Sequence, residues 1–181
     1  MSDAVNWQER IVELVVVKQA IDELDTTGLW ECRLPGVAAT AAQLEAVEDA
    51  LGEPFDPSYR SFLEHAGGWP AFWQTVDLFG PDDLLGGERF KHACVMLSYV
   101  EDNVLDDGGL RRSDLLPIAA SPVDLDLFVM TRRSSPSPGG VVWLAGAEVD
   151  RWSSFDEFFL AMVDYNRLEL QQLQGSAGGS R

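Results

Sequence analysis

Near residue 110 the spacing of apolar side chains changes from helical to extended, and this change constrains the fold more than any other feature of the chain. Before it, apolar residues recur every three or four positions. Trp7, Ile11, Leu14, Ile21 and Leu24 lie on one side of a helix expected over residues 3–25, although the run Val15-Val16-Val17 also suits a strand. Thr40 stands as an N-cap before Leu44, Val47 and Leu51, and Gly52 ends that helix. Pro57 suits the first turn of another, Ser58 to His65, with Tyr59, Phe62 and Leu63 turned inward and Gly67-Gly68 as its stop. Thr75 to Phe79 reads as a short strand. Residues 81–100 read as a helix weakened by Gly86-Gly87, and Glu101 to Gly109 as an acidic loop.

After residue 110 the apolar runs are short and rich in branched and aromatic side chains: Leu115 to Ala119, Asp126 to Thr131 and Val141 to Ala145. Ser134 to Gly140 separates the last two as a hairpin connection does. Ser153 then caps a final helix that buries Phe155, Phe158, Phe159, Met162 and Val163. Helices, then antiparallel strands, then a helix specify an α+β domain: an antiparallel sheet with helices packed around it and a long N-terminal helix. One domain is expected over residues 1–174. The small, polar segment 175–181 is expected to be a disordered tail.

Charge narrows the partners. The chain carries 30 acidic and 13 basic side chains, a net of −17. With 46% hydrophobic residues it is not a disordered acidic chain, because it has the apolar material to offset chain entropy. A surplus of this sign repels phosphate, so direct binding to nucleic acid or to an anionic membrane is not expected; a basic protein partner is. Residues 1–109 hold 21 acidic and six basic side chains, so the field is concentrated on the elements before the expected sheet core. Met1-Ser2-Asp3-Ala4 is acidic where a signal peptide needs positive charge. Ile11 to Val17 is interrupted by Glu13 and closed by Lys18, too short for a membrane span. A cytoplasmic location is the expectation.

Residues able to carry chemistry are scattered. Cys32 and Cys94 are 62 positions apart and form no CxxC pair, so they read as reduced thiols. His65 falls in the last turn of a helix, where it satisfies carbonyls. His92 and Cys94, two apart on a helix, do not face each other. From Asn103, a calcium loop needs oxygens where the chain has Leu105, and Glu where it has Asp114. No glycine pair has the spacing of a phosphate loop, and no GxSxG is present. Asp124 and Asp126 share a strand face and read as solvated acids. No catalytic, cofactor-binding or metal-binding residue is expected, and no cofactor.

Residues 44–68 hold an ordered set: Glu48 on a helix, Leu51-Gly52, Pro54, Pro57, Tyr59-Arg60, Phe62-Leu63 and Gly67-Gly68. Further on come Pro117-Ile118-Ala119, an Asp-bearing segment through Asp124 and Asp126, Val141-Val142-Trp143, and Ser153-Ser154-Phe155 with Glu157 and Phe158-Phe159. In this order and spacing they resemble the SUKH superfamily, also called Smi1/Knr4-like, over roughly residues 40–165. Most of these positions are packing positions. The signature therefore speaks for the fold first and for function second.

The resemblance implies a protein-binding role without catalysis. Bacterial members are largely immunity proteins that neutralise toxins deployed between competing cells. A toxin that grips nucleic acid is basic around its active site, so occlusion by an acidic surface is the implied mechanism, with a nuclease or deaminase as the implied target. The alternative is an intracellular regulatory scaffold of the Smi1/Knr4 kind with several weaker partners. The candidate contact residues are Asp82, Asp83, Glu101, Asp102, Asp106 and Asp107, joined by Trp69, Phe72 and Trp73 as aromatic anchors. Asp82 and Asp83 also fit a helix N-terminus as acids complementing its dipole, and the three rings also fit a core.

Overall fold

Asn6 opens the first helix: its side-chain oxygen accepts from the Glu9 N–H, and α1 runs from Trp7 to Leu24. The computed structural model describes residues 5–178, so the expected start of this helix at residue 3 lies outside the described residues. Helix α2 (Ala41–Leu51) begins with a reciprocal cap in which Gln43 and Thr40 exchange backbone-to-side-chain bonds, and ends on Gly52 in the left-handed region at φ +73°. Asp56 caps α3 (Pro57–Leu63) by accepting from the Ser58 and Tyr59 N–H groups.

Six strands follow in simple order: β1 (Trp69–Trp73), β2 (Val76–Leu78), β3 (Leu115–Ala120), β4 (Leu127–Thr131), β5 (Val141–Leu144) and β6 (Glu148–Trp152). Each pairs antiparallel with the next in chain order. Between β2 and β3 lie α4 (Pro81–Leu84), α5 (Glu88–Tyr99) and α6 (Asp102–Asp107); α7 (Phe155–Gly178) closes the chain. The fold is α+β, as the change in apolar spacing requires.

Every residue of β3 and β4 is buried, so both faces of the sheet centre are covered. On one side α7 presses Phe158 against Phe128, Trp152 and Phe72. Helix α1 lies along α7, and its Trp7 packs edge-on against Phe62 and Phe159. On the other side α5 packs across β3 and β4 through buried Ala93 and Leu97. The turn at Gly67-Gly68 is a close backbone crossing. A Cβ on Gly80 would sit 2.0 Å from the Gly67 carbonyl oxygen, and one on Gly67 2.3 Å from that of Val37.

Two local expectations are corrected, and two strands, β1 and β6, had no expectation at all. Trp69–Trp73 is a strand: Pro70 is admissible there because β1 is an edge, and a register shift within it hides the period-two pattern. The helix expected over 81–100 is two helices, broken where Gly86 adopts φ +95°. The expected acidic loop contains α6, seated by buried Leu105. Strand β6, charged and exposed, has no apolar alternation to betray it. In addition, α7 continues through Gly175–Gly178, where a tail was expected; residues 179–181 lie outside the described residues.

Candidate partner-binding surface

Most of the described cations are spent on the chain's own carboxylates. Ten Arg and Lys side chains form internal ion pairs: Arg10, Arg33, Arg60, Arg89, Lys91, Arg111, Arg112, Arg132, Arg151 and Arg167. Lys18 is only 2% exposed and donates to the Ala71 carbonyl at 2.6 Å; burial lowers its pKa from 10.5 to about 8. Beyond these pairs the described surface carries unpaired carboxylates and one exposed cation without an ion pair, Arg133.

Among the candidate acids, those on α6 form one corner. Arg112 builds it: one guanidinium nitrogen donates to the Leu97 carbonyl, the other to the Val100 carbonyl at 2.6 Å and to Asp102 Oδ1 at 2.7 Å. The Leu97 carbonyl, which also accepts from the Val100 N–H, and the Val100 carbonyl just past the helix thereby gain a charged donor, and α6 is held against the end of α5. Leu105 is the apolar peg of the same corner. Glu101, Asp106 and Asp107 are exposed and have neither an ion pair nor a side-chain hydrogen bond among the described residues.

The other two candidate acids lie elsewhere. Helix α5 has 12 residues and so separates α4 from α6 by about 18 Å. Asp83 is occupied: its Oδ2 accepts from the Gly80 N–H, and Arg89 pairs with it and with Asp77. Asp82 is exposed and unpaired among the described residues. The candidate acids thus stand at the two ends of α5.

The aromatic candidates are corrected outright. Trp69, Phe72 and Trp73 are 0, 1 and 8% exposed. Trp69 donates its indole N–H to the Arg33 carbonyl, Phe72 packs on Phe158 and Phe159, and Trp73 meets Trp30 edge-on. They are core and not anchors. The exposed aromatic is Tyr99, at 81%, on the last turn of α5 beside the α6 acids. Sequence reasoning passed over it; the available signal was its position off the Ala93–Leu97 stripe that faces the sheet.

Several other groups with chemical potential are engaged in structure, while Cys94 and His92 are exposed on α5. His65 Nδ1 bonds the Ser61 carbonyl, Asp126 accepts from the Trp143 indole, and Asp124 from Thr75. Burial raises the Asp156 pKa, helped by the neighbouring charges of Asp56 and Glu157, but no histidine or thiol joins that set among the described residues. A groove of about 610 Å³ between the β4–β5 connection and β6 is flanked by Arg111 and Arg151, each paired with its own carboxylate.

Comparison with known families bears on the fold that carries these residues. The sequence model described as the SMI1 / KNR4 family (SUKH-1) matches residues 38–161, more than half of the chain, and spans everything from α2 into α7. No curated protein matches at a significant level.

Proposed function

The chain belongs to the SMI1/KNR4 family (SUKH-1), and from that premise we propose that it is an immunity protein. It binds a toxin used in bacterial competition, most consistent with a basic enzyme acting on nucleic acid, a nuclease or deaminase. It neutralises the toxin in the cytoplasm by covering the active site with an acidic surface. The observation that carries this reading is the internal consumption of cations: ten basic side chains are paired within the described fold, while Asp82, Glu101, Asp106 and Asp107 have no ion pair among the described residues. Such a surface steers a cationic partner into encounter and matches its phosphate-binding site in sign. No helix among the described residues is long and apolar enough to cross a membrane.

The test is co-expression in a bacterial host with basic nuclease and deaminase toxin domains, reading growth rescue and recovery of a one-to-one complex. Rescue by a complex that weakens steeply between about 0.05 and 0.5 M salt is expected. Failure to protect against any basic toxin, or recovery of several weakly held regulatory partners instead, overturns the reading in favour of a scaffold.

A further inference from the structure

We propose that the outward face of α5 is the docking ridge for the basic partner, with Tyr99 as its anchor; this rests on the immunity reading above and adds the surface and its chemistry. Helix α5 has two unlike sides. Ala93 and Leu97 are buried against the sheet, while Lys91, Val95, Ser98 and Tyr99 face solvent. Val95 and Tyr99 are four residues apart and therefore neighbours on one stripe, and Leu85 is exposed in the turn just before the helix.

The ridge is apolar in the middle and anionic at both ends. Asp82 stands at its start, and Glu101, Asp102, Asp106 and Asp107 at its finish. Among the described residues the cations of α5 and of the α5–α6 corner are paired: Lys91 with Glu88, Arg89 with Asp77 and Asp83, and Arg112 with Asp102. An apolar centre with a charged rim is the anatomy of a protein interface, and an exposed ring is a common hot spot within one. Charge selects the occupant. A second copy of this chain would bring carboxylates against carboxylates, whereas a cationic protein places Lys and Arg on the rim and a guanidinium over the ring. The Arg112 bonds hold the ridge and the α6 acids in fixed relation, so little ordering remains to be done on binding.

The probe is a synthetic peptide of alternating arginine and alanine, titrated at about 0.15 M salt into the isotope-labelled full chain while backbone amide shifts are followed. The largest shifts are expected over residues 91–107. Tyr99→Ala is expected to weaken binding about fivefold, Tyr99→Phe to restore it because the ring face remains, and Glu45→Gln with Asp49→Asn on α2 to leave it within about twofold. Because Tyr99 is a solvent-facing side chain, the variants are checked for an unchanged melting curve. Shifts centred away from α5 and α6, or a Tyr99→Ala chain that binds as well as the native one, overturn the ridge. If that variant binds normally and the native chain still rescues toxin-expressing cells, the ridge alone is wrong; absence of rescue overturns the immunity reading itself.

Discussion

Strand β1 and the end of α5 both carry aromatic side chains beside turns, yet one region is interior and the other surface. Over Trp69–Trp73, α7 contributes Phe158 and Phe159, Trp30 closes on Trp73, and Lys18 of α1 donates to Ala71. Tyr99 is left 81% exposed, with no aromatic partner among the described residues. The difference is a second layer. An aromatic-rich stretch is buried when another element lies across it, as α7 does at β1. Aromatic density by itself says nothing about exposure.

The sharpest way to break this comparison is Phe72→Ala. Phe72 is 1% exposed between two rings of α7, so removing it leaves a cavity and is expected to cost about 3–5 kcal/mol, read as a shift of the urea midpoint. A loss below about 1 kcal/mol would mean that β1 is not sealed by α7.

The second test uses the seal from α1. Burial holds the Lys18 pKa at about 8, below the 10.5 of an open chain. Below pH 8 the folded and unfolded states both carry the proton, and stability does not depend on this group. Between about 8 and 10.5 only the unfolded chain keeps it, so stability rises with pH. Relative to Lys18→Met, the native chain is expected to gain about 2 kcal/mol from pH 7 to pH 9.5, measured by urea unfolding at each pH. A flat difference would show that the amine is not enclosed between α1 and β1.

How far the sequence reveals all this depends on whether a signal is local. Thr40, Gly52, Pro57 and the Phe155–Phe159 row act through their own neighbours, so α2, α3 and α7 are legible at once. Strand β6 is not, because Glu148, Asp150 and Arg151 on an exposed edge carry no alternation, and its place follows only from pairing with β5. The acids at 101–107 were legible as a charged segment, but not as a helix. Its order comes from Arg112 and Leu105, a contact and a burial that no periodicity encodes. The anchor was misread for the same reason: whether Trp69 or Tyr99 is covered depends on α1 and α7, far away in the chain.

Arg112 offers the third test, one that separates order at the α5–α6 corner from packing at β1. Arg112→Ala removes the donors to Leu97, Val100 and Asp102, and is expected to cost about 1–2 kcal/mol. The loss should be local, with amide exchange accelerating over residues 101–110 while β1 stays protected. Arg112→Lys is not expected to restore the corner, because a single ammonium does not span three acceptors as a guanidinium fork does. Acceleration at β1 as well would mean that the two regions unfold as one unit.

Smallest of all is the expected effect of Tyr99→Ala on stability, within about 0.5 kcal/mol of the native chain in the same urea assay as Phe72→Ala. The two substitutions each delete one aromatic ring, so their difference isolates the covering layer. At 81% exposure the Tyr99 ring has little apolar area to lose on unfolding, and neither an ion pair nor a side-chain hydrogen bond ties it down among the described residues. A loss for Tyr99→Ala approaching that for Phe72→Ala would mean the ring packs against the corner in solution. It would then be unavailable to a partner, and the contrast between an interior and a surface aromatic region would fail together with the docking ridge.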